Sequence, residues 1–125
     1  MKPILRSLMR SFRHAWRGLL LAFRSERSFR IQVAVAAVML VGLVILPLAA
    51  WERVVLLLAI VAVLVLELLN SAVERLVDLM KPRLHEYVAD IKDLMAGAVL
   101  LAAFFSVIVG VLILWPHVAT VLKRV

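Results

Sequence analysis

Glu67, Asn70, Ser71, Glu74 and Asp78 interrupt an otherwise apolar stretch. At about 100° per residue on a helix, all five fall within an arc roughly 100° wide. Carboxylates, an amide and a hydroxyl on one face can ligate a hard cation, accept a proton or hold a polar substrate. The surrounding run from Val54 to Val77 is apolar enough to lie in a bilayer. Burying an Asp there costs about 2.5–3.5 kcal/mol on insertion scales. A helix that carries such a cost uses the group for transport, metal binding or catalysis, and Glu67 in particular has no inexpensive structural explanation.

Further acids gather at the same expected depth. Glu26 stands before the first apolar span, and Glu86, Asp90 and Asp93 follow the second, with Lys92 among them. Two carboxylates and an amide near phosphate-compatible cations suggest a Mg²⁺ site, since Mg²⁺ takes oxygen ligands and shares them with substrate phosphates. Lys92 and an arginine-rich arm would offset phosphate charge, and a desolvated Glu67 suits a general base. Simpler readings stand beside these. Glu74 and Asp78 form the wet end of a helix leaving the membrane; Asn70 and Ser71 act as interhelical hydrogen-bond glue; Glu26 pairs with Arg30 at i,i+4; His85 is a loop residue. There is no Cys, no Walker-type glycine loop, no serine-hydrolase elbow and no H-E-x-x-H pattern.

The elements that must position these groups are hydrophobic. The chain has 125 residues, is 66% hydrophobic and has a mean hydropathy of +1.08, whereas soluble domains are about 45–50% apolar. This composition describes an all-α membrane protein in a single membrane domain over 1–125. Its expected parts are an amphipathic surface helix over 4–28 and three transmembrane helices over 29–50, 53–80 and 90–116. Each span approaches the ~20 residues that cross ~30 Å of hydrocarbon. Pro47, Pro82 and Pro116 mark their ends. Arg6, Arg10, Arg13, Arg17 and Arg24 share one face of the surface helix, while Leu5, Leu8, Phe12, Trp16, Leu19 and Phe23 occupy another, a pattern suited to an interface plane. Gly97, Ala98 and Ala102 offer a small-residue surface on the third span.

The net charge of +7 is concentrated in the arm, where Glu26 is the sole acid before the first span. Next to a span, this points to an anionic membrane surface rather than to nucleic acid. The distribution of Lys and Arg places the N-terminus and the second connection in the cytoplasm and the C-terminus outside. A cleaved signal peptide is not expected, because the charged region is too long and two more spans follow.

The run Glu67-Leu-Leu-Asn70-Ser71-Ala72-Val73-Glu74-x-x-Val77-Asp78 resembles the signature E-x-x-N-[ST]-A-[IV]-E-x-x-V-D of the prokaryotic diacylglycerol kinase family. The likeness continues through His85, Lys92-Asp93 and Ala96-Gly97-Ala98-Val99-Leu100, and upstream through Trp16-Arg17-Gly18 and Ala22–Arg30, covering about residues 11–115. Leu84, Asp90 and Met95 depart from the residues common in the family. The resemblance implies a homotrimeric membrane kinase with active sites shared between protomers. It implies Glu67 as catalytic base, Glu26 and Glu74 as metal ligands, and Asn70, Lys92 and Asp93 as nucleotide-site residues. Arg10 and Arg17 on the arm are further nucleotide-site candidates, and Asp78 receives no firm role.

The expected reaction moves the γ-phosphate of ATP, with Mg²⁺, to the primary hydroxyl of a membrane lipid: diacylglycerol to phosphatidic acid, or undecaprenol to its phosphate. Ser25–Ile31 looks somewhat more like the undecaprenol-kinase branch. Two rivals remain at this point. One is a small cation- or proton-coupled transporter using Glu67, although a transporter places its ionisable group near the midplane. The other is a non-catalytic scaffold, which would have no use for Glu67.

Overall fold

The computed structural model describes residues 2–80 and 85–123, without the side chains of residues 2, 85 and 86. The family positions at Lys81-Pro82 and Leu84, and the side chains of His85 and Glu86, therefore lie outside the described residues. Four helices follow in order: α1 (Lys2–Ser25), α2 (Arg27–Ile45), α3 (Ala50–Met80) and α4 (His85–Leu122). Among the described residues there is no strand. Three segments are long and apolar enough to cross a membrane: Arg27–Ile45, Ala50–Met80 and Tyr87–Leu122.

Helix α1 ends earlier than its amphipathic pattern suggests, at Ser25 rather than 28. Glu26 breaks it by adopting an extended backbone, φ −107° and ψ 117°. Its N–H still closes α1 on Ala22 O at 2.8 Å, and its carbonyl opens α2 by accepting from Arg30 N at 3.3 Å. Arg30 Nη1 then donates to the carbonyls of Phe23 and Arg24, both at 3.1 Å. Those carbonyls belong to the last turn of α1, where intrahelical donors run out. Arg30 thus caps α1 from α2 instead of pairing with Glu26. The rest of α1 projects away with both faces open, Phe12 at 73% and Trp16 at 55% exposure.

Helix α2 ends at Ile45, five residues short of the expected 50, because Pro47 follows and Leu46 is already extended. Helix α3 starts at Ala50, where Glu52 reaches back to accept the Ala49 N–H at 2.7 Å, half of a capping box. Helix α4 continues through Pro116 to Leu122 instead of stopping at 116. Proline removes one backbone donor, and Thr120 Oγ1 donates to the Pro116 carbonyl at 2.8 Å, bridging the turn beyond it. At about 1.5 Å per residue, the 19, 31 and 38 residues of α2, α3 and α4 measure about 28, 46 and 57 Å. The last two overshoot ~30 Å of hydrocarbon.

Helices α3 and α4 pack most extensively, α2 lies against α3, and α1 touches α2 and α3 near its C-terminal end. The core gathers Leu43, Leu48 and Leu56, with Met39, Ile60, Val109 and Ile113 packed on it. Gly110 on α4 admits the Met39 methyl, which a Cβ at that position would meet at 3.8 Å. Nothing comes so close at Gly97, so within one chain the small surface of α4 is used at Gly110. This core sits at the end of the bundle opposite the polar stripe, so the fold divides into an apolar far end and a polar end.

Candidate functional site

At the polar end the first turns of α2 meet the second half of α3. Glu67 is 3% exposed. Its Oε1 accepts a hydrogen bond from Ser28 Oγ, and its Oε2 accepts from Gln32 Nε2 at 3.3 Å. Ser28 and Gln32 are four residues apart and so share one face of α2. Ser71 Oγ donates to the Glu67 carbonyl at 3.0 Å; it serves its own helix rather than joining two. One buried carboxylate is therefore gripped on both oxygens by neutral donors. Neither donor brings a charge of its own.

One turn further along α3, Asn70 Nδ2 donates to Glu74 Oε1 at 3.1 Å. Two amide oxygens at this end, Asn70 Oδ1 and Gln32 Oε1, are buried with no hydrogen-bond partner. An orphaned buried acceptor costs about 1–3 kcal/mol, and most buried polar atoms avoid it. Gln32 bonds Glu67 directly, and Asn70 stands three residues further along α3. Arg75, next to Glu74, donates through Nη2 to Ser25 Oγ at 2.6 Å and to Glu26 Oε1 at 3.2 Å. Glu26 is thereby tied to the stretch of α3 that carries Glu74. Lys92 Nζ on α4 bonds Asp78 Oδ1 at 2.6 Å, while Asp93 is exposed.

An apolar groove of about 520 Å³ runs between α2, α3 and α4. Val35, Met39, Ile60, Val107 and Leu114 are among the residues that line it, and Gln32 closes its polar end. The side chain that holds Glu67 also faces a space suited to hydrocarbon. Among the described residues, no three Asp, Glu, His or Cys side chains stand close enough to hold a metal ion between them. Of the oxygen donors at this end, Asn70 and Glu74 are in direct contact, and Glu26 reaches α3 through Arg75, the residue after Glu74.

Glu67, Asn70, Glu74 and Glu26 all fall at this end, and Lys92 reaches it through Asp78. Arg17 and Arg10 do not join them within one chain. They lie on exposed α1, about 14 and about 24 Å from Glu26 along the helix axis. Three contributors escape the stripe pattern: Ser28, Gln32 and Arg75. Gln32 carried a readable signal, as the single polar side chain between Ile31 and Leu46. Ser28 becomes meaningful only as its neighbour on the same face.

The sequence profile of prokaryotic diacylglycerol kinase matches residues 13–114. The chain belongs to the prokaryotic diacylglycerol kinase family. Over 111 residues it is 43% identical to a diacylglycerol kinase of Synechocystis sp., covering 88% of this chain and 63% of that protein, less than two thirds of its length. It is 38% identical over 112 residues to the undecaprenol kinase of Bacillus subtilis, covering 90% and 91% of the two chains. The diacylglycerol kinase of Escherichia coli is 36% identical over 105 residues, covering 83% and 85%. Family membership assigns the chain to the membrane lipid kinases, and the matched region contains every residue of the Glu67 cluster.

Proposed function

We propose that the chain transfers the γ-phosphoryl group of ATP to the primary hydroxyl of a membrane lipid, with Glu67 as the proton acceptor. The observation that carries this reading is Glu67 itself: buried, held on both oxygens, and joined through Gln32 to an apolar groove. A lipid tail in that groove presents its hydroxyl at the polar end. Ser28 and Gln32 fix the carboxylate so that one of its oxygens takes the hydroxyl proton as the oxygen attacks phosphorus. Holding both reactants at one depth replaces a bimolecular encounter with an oriented one.

Phosphoryl transfer otherwise depends on positioning and on neutralising charge. Glu26 and Glu74 would hold Mg²⁺, with Asn70 beside them. The donor set fits that ion: it is all oxygen, and the Asn70 carbonyl oxygen is buried without a partner. Mg²⁺ needs only one or two carboxylates when phosphates complete its shell, so the lack of a three-ligand cage is no obstacle. When bound, Mg²⁺ supplies positive charge to the transferring phosphate. Asn70 keeps Glu74 oriented through its amide N–H, Lys92 brings a cation to the same rim, and Asp93 extends the nucleotide side.

The assembly is a homotrimer with sites completed between protomers. That reading covers the apolar faces left open on α2 and α4, such as Val38 and Leu100, at 72% and 70% exposure. It also gives Arg10 and Arg17 a neighbour's nucleotide to meet, or else anionic headgroups. The lysine and arginine distribution supports an orientation with the polar end in the cytoplasm, and the bacterial relatives favour the inner membrane as the location. A cation-coupled transporter finds less support, because Glu67 is closed in by α2 and gathers other acids toward one end instead of standing alone at the midplane.

The test is purified protein in micelles with γ-labelled ATP, Mg²⁺ and a panel containing diacylglycerol, undecaprenol and a lipid without a hydroxyl. Label on one of the two alcohols supports the reading and identifies the substrate. Label on neither, with folded protein, overturns it.

A further inference from the structure

Arg75 stands off the polar stripe, turned about 80° from Glu67 around α3. It nonetheless reaches the junction of α1 and α2. A single nitrogen, Nη2, serves both Ser25 Oγ at 2.6 Å and Glu26 Oε1 at 3.2 Å. Ser25 is oriented to receive it, because its own hydroxyl reaches Leu21 O at 2.8 Å. Among the described residues, Nη1 and Nε of Arg75 make no hydrogen bond. A guanidinium carries five donors in a planar fork that matches phosphate, so most of this fork is unspent. The pair is also half in water, with side-chain exposures of 47% for Arg75 and 27% for Glu26. A pair of that kind is weak and exchangeable.

Glu26 needs such a partner. It occupies the helix break, and its side chain makes no capping bond to α2. The contact that places its carboxylate is Arg75 at 3.2 Å, because the one hydroxyl hydrogen of Ser25 goes to Leu21 O at the shorter distance of 2.8 Å. A guanidinium on Oε1 occupies one of the acceptor sites of the carboxylate, and its charge repels a divalent cation.

We propose that Arg75 is a positioning residue that serves as resident counter-cation of Glu26. It occupies the carboxylate in the absence of ligands, competes with a divalent cation for it, and turns its free donors to phosphate oxygens when a nucleotide arrives. This rests on the reading of Glu26 as a cation ligand given above. It makes two predictions of opposite sign. Removing Arg75 tightens the binding of a bare cation and loosens the binding of a nucleotide, whereas a merely structural arginine would loosen both when lost.

The experiment titrates Mn²⁺ into the full chain in micelles without nucleotide, reading free Mn²⁺ by electron paramagnetic resonance. A non-hydrolysable ATP analogue is then titrated at saturating Mn²⁺. For Arg75→Gln, the Mn²⁺ Kd is expected to fall about fivefold, the scale of a part-exposed ion pair. The analogue Kd is expected to rise about tenfold, the scale of a charged hydrogen bond. Arg75→Lys keeps a cation there and is expected to leave Mn²⁺ affinity near the parent value, which also controls for misfolding. If Glu26→Gln binds Mn²⁺ as the parent does, the ligand assignment of Glu26 fails, and this inference with it. If Glu26→Gln loses Mn²⁺ but Arg75→Gln binds it no more tightly than the parent, the inference alone is overturned.

Discussion

Helix α3 carries one carboxylate in its first turn and a buried one just past its middle, and the two are treated differently. Glu52, in its first turn, has both oxygens engaged. His117 Nε2 lies 3.1 Å from each, and the Ala49 N–H reaches Oε2 at 2.7 Å. That arrangement ties α3 to α4 beyond Pro116 and borders the Leu43, Leu48 and Leu56 core. Glu67, about 22 Å along the axis, is held by Ser28 and by Gln32, whose other amide atom bonds nothing. At the far end both oxygens of the carboxylate are engaged by protein groups. At the polar end, acceptors are left over beside an apolar groove. A closed set of contacts secures a fold, and a surplus of buried acceptors marks a place where something else binds.

Exchanging the two carboxylates for amides sets the comparison at its sharpest. Glu67→Gln is expected to lower lipid phosphorylation by about 10²–10⁴-fold, the range of a general base, with the thermal midpoint nearly unchanged. Glu52→Gln should do the reverse, lowering the midpoint and sparing turnover per folded molecule. Labelled-ATP assays beside thermal melts read both, and full turnover in Glu67→Gln removes Glu67 from its role. Within the polar end, Glu74→Gln should raise the Mg²⁺ concentration for half-maximal rate by about tenfold, the lower bound for disturbing a metal environment. An unchanged Mg²⁺ profile counts against Glu74 as a ligand.

A finer division separates Glu67 from its holder. Gln32→Leu removes one donor to Glu67 together with a buried orphan acceptor. The rate is expected to fall about tenfold, one hydrogen bond to a charged group, while the melting temperature holds or rises. A melting temperature that drops with the rate would make Gln32 a structural residue. The smallest effect belongs to His117→Ala. It should loosen the far end, seen as a midpoint lower by a few degrees, with lipid phosphorylation as in the parent. A loss of turnover there would mean that the two ends are not independent.

The helices were legible because their signals are periodic and local. The 3.6-residue repeat shows in the arginine face of α1, and length with hydropathy marks α2, α3 and α4. Helix ends were less legible because distant partners decide them. Arg30 terminates α1 from the next helix, and α4 passes Pro116 where a proline alone suggests a stop. The Glu67 stripe was visible for the same periodic reason. Its partners were not, since Ser28 and Gln32 become a grip only once α2 is laid against α3. Arg75 falls off the stripe, and its sequence position shows a charge without showing that it reaches the α1–α2 junction.

The Arg30 cap makes the α1–α2 joint a bracket rather than a hinge. With its guanidinium on the carbonyls of Phe23 and Arg24, a tilt of α1 either breaks these bonds or carries the opening turn of α2 with it. Ser28 lies in that turn and touches Glu67. The direction in which the arginine arm leaves the bundle is therefore linked, through Arg30 and Ser28, to the carboxylate at the centre of the site.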